Sequence, residues 1–156
     1  MTNGNETVSE QATEYVTVVI GDQLFGLPIA RVQDVFVPER LTPVPLAPPE
    51  VAGVLNLRGR IVTAIDMRRR LDLDKRIGDQ PLMAIGIDMR GESYGLLVDA
   101  VGEVMKFPNS ACEAKPANLD ARWSRIASGV IRLEGQLLVV LDVDRVLDMR
   151  KRAVAA

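Results

Sequence analysis

From Glu14 onward the chain is written in short runs of apolar and β-branched residues, each stopped by Gly, Pro or Asp. Tyr15-Val16-Thr17-Val18-Val19-Ile20 leads into Gly21-Asp22, Leu24-Phe25-Gly26-Leu27 follows, and Val32 to Val37 stops at Pro38. Runs of this kind predict strands. Leu41 to Pro49 holds four of the nine prolines. Proline lacks the ladder donor and fixes φ, so an extended loop is expected there. Beyond it, VLNL-RG-RIVTAI and VIRL-EG-QLLVVL each read as two strands joined by a two-residue turn ending in glycine. Both units end at an aspartate, Asp66 and Asp142, before a short helical pattern. A carboxylate there is suited to accept from the free amides of the first helical turn. A further strand pair is expected in LMAIGIDM, the turn at Arg90-Gly91-Glu92, and SYGLLVDAVGEVMKF. The stretch from Pro108 to Ser128 loses the pattern and predicts a longer connection, with a helical turn around Leu119 to Ile126.

The pattern occurs twice. Gly53 to Leu71 and Gly129 to Leu147 agree at Gly53/Gly129, Val54/Val130, Leu57/Leu133, Gly59/Gly135, Asp66/Asp142, Arg69/Arg145 and Leu71/Leu147. Upstream, Phe25 to Val35 matches Tyr94 to Val104 at Gly26/Gly95, Leu27/Leu96, Val32/Val101 and Val35/Val104, with Asp34 facing Glu103. Such self-similarity marks an internal duplication. Each repeat spans roughly 65 to 70 residues, too few for a strong core of its own, so the halves are expected to pack together across a seam. About five short strands per repeat with little helix predict an all-β fold of two small antiparallel barrels. The expected boundaries are a disordered tail over 1–13, a first barrel over about 14–73, a linker around 72–80, a second barrel over about 81–149, and a tail over 151–156.

Composition narrows the function. The chain has 156 residues, 47% of them hydrophobic, with a net charge of −2. It carries no basic footprint for nucleic acid. Its single cysteine, Cys112, excludes an internal disulfide framework. No apolar run approaches the ~18 residues of a membrane span, and the first residues lack the basic and apolar regions of a signal peptide. A cytoplasmic protein without direct membrane insertion is expected.

Chemistry is sparse. There is no histidine, the residue most used for acid–base work near neutral pH and for metal ligation. No phosphate-binding loop, nucleophile elbow or dinucleotide fingerprint is present. Asp66 and Asp142 are better read as duplicated helix caps than as a catalytic pair. Arg68-Arg69-Arg70, followed by Lys75 and Arg76, is interleaved with Asp66, Asp72 and Asp74 and reads as a solvated helix face. Trp123 is one of only six aromatics, too few for stacked single-strand recognition. No enzyme, metal or cofactor is expected; surface for a partner remains. Arg58, in the Asn56-Leu57-Arg58-Gly59 turn, and Asp34, between Gln33 and Val35, sit in apolar surroundings. They are either a charge-assisted pair holding the turn to a strand or two unrelated surface charges.

Gly53-Val54-Leu55-Asn56-Leu57-Arg58-Gly59-Arg60-Ile61 resembles the CheW family of bacterial chemotaxis coupling proteins. The similarity extends to Glu14-Tyr15-Val16, to Phe25 through Ile29 with Val32 to Val35, to Gly95 through Asp99 with Val101, and to Gly129 through Leu147. It covers about residues 14 to 150. Thr63-Ala64 stands where the family has Pro-Val, and Asp34 where it usually has glutamate. The resemblance implies two SH3-like five-stranded barrels with short helices at the repeat ends. It also implies a non-catalytic adaptor between the tips of methyl-accepting chemotaxis receptors and the regulatory domain of the histidine kinase CheA, recruited to receptor arrays. That domain shares the fold, so the two are implied to alternate in rings, with ring self-assembly of the chain a further option that the resemblance leaves open. The receptor hairpin is expected in the groove between the barrels, at Val32, Val98 and Ala100, with Gly53 and Asn56 shaping its edge. Arg58 is implied to pair with Asp34.

The alternative is a stand-alone domain resembling the kinase regulatory domain and acting in another signalling pathway. Against a kinase stand an initiating methionine and the lack of an ATP-binding module and a phosphoacceptor histidine.

Overall fold

The computed structural model describes residues 11–73 and 82–148. The strands are β1 (Ala12–Ile20), β2 (Gln23–Pro28), β3 (Asp34–Phe36), β4 (Val51–Leu57), β5 (Arg60–Asp66), β6 (Met83–Met89), β7 (Glu92–Val98), β8 (Ala100–Pro108), β9 (Cys112–Glu113), β10 (Ala127–Leu133) and β11 (Gln136–Leu141). Three single-turn helices follow the same order: α1 (Met67–Arg70), α2 (Ala121–Ser124) and α3 (Val143–Leu147). The glycine-ended turns form as expected: at Glu134-Gly135 only the glycine has positive φ, +81°, whereas Arg58 and Gly59 stand at +53° and +83° and Arg90 and Gly91 at +53° and +80°. Positive φ at both central positions matches the twist of the flanking strands.

The aspartate caps also form. Asp66 accepts from the amides of Arg68 and Arg69 at 3.0 and 3.4 Å, and Asp142 from that of Arg145 at 3.2 Å. Asp120 caps α2 in the same way through Arg122, at 2.9 Å.

The strands make two sheets, ordered β8-β1-β2-β11-β10-β9 and β3-β6-β7-β5-β4. This corrects the expected barrel boundaries. The first hairpin of each repeat crosses to the sheet of the other repeat, so neither sheet is a continuous stretch of chain. The crossing is reciprocal: β2 lies parallel to β11, with Gly26 opposite Val140, and β7 lies parallel to β5, with Gly95 opposite Ala64. Both sheets are therefore mixed rather than wholly antiparallel. The six-stranded sheet gains β9, whose counterpart in the first repeat is the single bridge of Thr42 to Val54. At the N-terminus, β1 already includes Ala12 and Thr13, paired with Pro108 and Phe107, which shortens the expected tail. The other expected tail, the greater part of the linker, and Lys75 and Arg76 lie outside the described residues.

The two repeated glycines have the same physical job. A Cβ on Gly26 would lie 3.3 Å from Leu138, and one on Gly95 3.3 Å from Phe36 and 3.4 Å from Val62. The absence of a side chain lets the crossing hairpin approach the strand it joins.

The core follows the duplication. One large cluster, including Val16, Phe25, Leu27, Ile65, Met67, Ile85, Leu96, Val139 and Val143, fills the space shared by both repeats. Two small clusters fill the separate sheets: Leu55, Val62, Ala64, Ala84 and Leu97 in one, and Tyr15, Ile131, Leu138 and Val140 in the other. The expected seam is thus the main core. Trp123 belongs to it, edge-on to Phe25 with ring centroids 5.8 Å apart.

The arginine run is not a solvated face. Arg70 is buried, and its Nε and Nη2 donate to the carbonyls of Val146 and Arg145, both at 2.9 Å, at the end of α3. Arg68 donates from Nε and Nη2 to the two carboxylate oxygens of Asp99, at 3.0 and 2.7 Å. Only Arg69 is exposed. Guanidinium groups are buried here because each has a carbonyl or carboxylate placed to receive it.

Candidate functional site

A shallow open cleft of about 220 Å³ lies on the five-stranded sheet. Phe36 and Leu57 are its half-buried apolar residues, Val62 and Ile87 form a buried floor beneath it, and Gln33, Asp34, Arg58, Arg60, Asp88, Ser93 and Tyr94 make most of its wall polar. Each charge is placed by local structure. β3 carries Asp34, which pairs in register with Gly86 of β6. A Cβ on Gly86 would stand 2.1 Å from Asp34 Oδ1, so the glycine makes room for the carboxylate over β6. Arg58 occupies the first position of the β4–β5 turn, which Asn56 fastens by accepting from the Gly59 amide at 2.9 Å.

Arg58 Nη1 lies 3.4 Å from Asp34 Oδ2. The two charges flagged in the sequence do meet, through one long contact rather than a bidentate pair. Arg58 is largely exposed, and an ion pair of this kind contributes about 0–1 kcal/mol. It therefore orients the turn more than it stabilises the fold. Beside it, Arg60 Nη2 donates to Asp88 Oδ1 at 3.0 Å and also to Ser93 Oγ, and Ser93 Oγ donates to Asp88 at 3.0 Å. Exposed Val35 and Ile61 adjoin Asp34 and Arg60 in sequence. A mainly polar cleft of mixed charge with exposed Val35 and Ile61 beside it is suited to holding a protein surface.

The other sequence candidates are divided. Gly53 is buried, and a Cβ there would stand 2.6 Å from the Thr42 carbonyl; it admits the preceding loop against β4. Asn56 is exposed but acts locally in the turn. Val32 is half-buried beside the shared core, just before β3. Ala100 is exposed on the other sheet, opposite Val19. Val98 is a correction: it is 1% exposed and lies within the shared core, so it offers no surface to a partner. Gly86, Arg60, Asp88 and Ser93 were not singled out from sequence; the isolated glycine in LMAIGIDM was the one available signal of a close approach.

A second polar constellation joins the sheets. Asp99, at the β7–β8 corner, receives both prongs of Arg68 and also the Gly21 amide of the β1–β2 turn, at 2.8 Å. The hydrogen bond to Asp99 raises the Arg68 pKa above its ordinary value. Among the described residues no group of His, Cys, Asp and Glu is arranged to hold a metal ion, and no helix is long and apolar enough to cross a membrane.

Two interleaved sheets share one core, and an open cleft lies on the smaller sheet. The profile of the CheW-like domain matches residues 14–151, and the chain belongs to the CheW-like family. It is 28% identical over 155 residues to the chemotaxis protein CheW of Rhizobium meliloti, covering 99% of this chain and 100% of that one. It is 28% identical over 148 residues to protein FrzA of Myxococcus xanthus, covering 91% and 90%. The crystal structure of the scaffolding protein TtCheW from Thermoanaerobacter tengcongensis superposes with a TM-score of 0.74 at 26% identity, covering 84% of this chain and 89% of that one.

Proposed function

We propose that this protein is a non-catalytic chemotaxis adaptor that joins the cytoplasmic tips of chemoreceptors to the regulatory domain of the histidine kinase CheA. The observation that carries the reading is the family match across residues 14–151, which includes the Asn56-Leu57-Arg58-Gly59 turn. That turn presents Arg58 to Asp34 at the rim of a mixed-charge open cleft. The cleft takes the receptor tip, with Asp34, Arg58 and the neighbouring exposed apolar residues as contacts. The protein works in the cytoplasm and is held at membrane-associated arrays by its partners, where it alternates with the kinase domain in rings.

The test is recruitment of purified kinase to receptor-bearing membranes. Kinase should sediment with the membranes only when this protein is added. Equal kinase sedimentation with and without it contradicts the proposal.

A further inference from the structure

The duplication lets each repeat serve as a reference for the other. In the six-stranded sheet Val130, Val139 and Phe25 stand side by side on neighbouring strands, and Phe25 faces Val18. The equivalent row of the five-stranded sheet is Val54, Thr63 and Tyr94, with Tyr94 facing Ile87. On the core side of each row the sheets match: Leu141, Leu27 and Val16 are buried in one, and Ile65, Leu96 and Ile85 in the other. The rows themselves do not match. Val130, Val139 and Phe25 are buried, whereas Val54, Thr63 and Tyr94 are half-buried. Ile61, further along β5 on the same face, is 64% exposed, while its counterpart Leu137 packs against the shared core.

The second row is closed by α2. Trp123 lies edge-on to Phe25, and Trp123 and Leu119 both pack against the shared core. α2 is a single turn capped by Asp120, with Leu119 just before the cap and Trp123 inside the turn. The first repeat has no such cover. Its connection into β4 contains no helix over 37–50, and Ala47 stands where Trp123 does when both are counted back from the following strand. A methyl group cannot bury the area that an indole buries. The open row nevertheless keeps the shape of its closed twin. Threonine replaces valine and tyrosine replaces phenylalanine, each adding only a hydroxyl, and the Tyr94 hydroxyl donates to Glu92 at 2.7 Å. Such side chains tolerate water and still pack when covered. The charges beside Ile61 are already paired, Arg58 with Asp34 and Arg60 with Asp88, so shape and apolar area decide what fits.

We propose that Val54, Ile61, Thr63 and Tyr94 form a docking face for a capped helical turn of a partner protein. The turn it takes has a leucine before an aspartate cap and an aromatic residue within the turn, the arrangement that Leu119, Asp120 and Trp123 supply to the second repeat. Helical segments are commonly held in this way, through a few apolar anchors on a complementary face. The proposal goes beyond the adaptor reading and does not rest on it.

The probe is a synthetic peptide of residues 116–126, which carries Leu119, Asp120 and Trp123, titrated into the full chain and followed by NMR. The amides of Val54, Ile61, Thr63 and Tyr94 should shift with peptide concentration, equally at low and high salt. Ile61→Asp in the chain, or Trp123→Ala in the peptide alone, should each weaken binding about tenfold or more, the range of a central interface residue. Ile61 is exposed, so its variant should keep the wild-type spectrum elsewhere. No shift at millimolar peptide overturns the proposal, as does binding that neither substitution weakens. Shifts at Phe25 and Val139 instead would mean that the peptide displaces α2, and binding lost at high salt would assign the contact to charge; both overturn it. Self-association of the chain alone that Ile61→Asp abolishes would give the face to a second copy and overturns it too. None of these outcomes bears on the adaptor reading, which stands or falls on kinase recruitment.

Discussion

Arg68 of α1 grips Asp99 at the β7–β8 corner with two hydrogen bonds, at 3.0 and 2.7 Å, and Asp99 holds the Gly21 amide at 2.8 Å. One carboxylate thereby ties a helix of the first repeat, a corner of the second, and the turn of the first crossing hairpin. Both side chains are mostly buried, and hydrogen bonds to charged groups contribute about 1.5–3 kcal/mol. Asp99→Ala should therefore lower stability by about 2 kcal/mol, read as a shifted urea midpoint with an unchanged slope. A loss below about 0.5 kcal/mol would show that the clamp is not structural.

The crossing hairpins predict that neither repeat folds alone. Each sheet needs strands from both halves, and the largest core cluster draws on both. Fragments 11–73 and 82–148 should each give the circular dichroism of an unfolded chain and recover the sheet signal on mixing. A folded isolated half would contradict the interleaved topology.

Gly129 is expected to be intolerant of any side chain. A Cβ there would stand 2.7 Å from the Glu113 carbonyl and 2.9 Å from Cys112 Sγ, pushing β9 away from β10. Gly129→Ala should lower stability by about 1–3 kcal/mol. Gly59→Ala meets no atom within 4 Å and is penalised only through its φ of +83°, so calorimetry should rank it as the milder change.

Asp120 sets one acid-sensitive contact. The Arg122 side chain, followed by the Arg122 amide, lowers its carboxyl from 3.8 to about 2. A folded pKa below the unfolded value means that its stabilising contribution is full above about pH 4 and is lost as pH falls toward 2. Carboxyl-carbon NMR should place the Asp120 titration near 2, and Arg122→Ala should return it toward 3.8. An unmoved titration in that variant would show that the Arg122 side chain is not the cause.

Arg58→Glu sets a carboxylate beside Asp34 and should separate binding from folding. The pair it replaces is exposed, so stability should change by less than about 1 kcal/mol. Receptor-tip binding should weaken clearly. A folded variant that couples normally would remove the pair from the receptor contact.

Periodicity and the duplication exposed the strands, the glycine-ended turns and the aspartate caps, because these are decided by local backbone chemistry. They did not expose the crossing of the hairpins. β1 and β2 read alike whichever sheet they join, and only the long-range packing of Gly26 on Leu138 and Gly95 on Val62 distinguishes the two. The same blindness misplaced Val98: Leu96-Leu97-Val98 is apolar throughout, so alternation cannot tell a core face from a surface. Arg70 was misread because its carbonyl partners at Arg145 and Val146 lie far along the chain. The Asp34–Arg58 contact was one of two readings that the residues alone left open, and the family motif favoured it.

The most direct measurement is sedimentation of the full chain with a receptor signalling tip and the kinase regulatory domain, first pairwise and then together. A single faster boundary containing all three proteins is the predicted result. Folded protein that sediments apart from both partners would contradict the adaptor function.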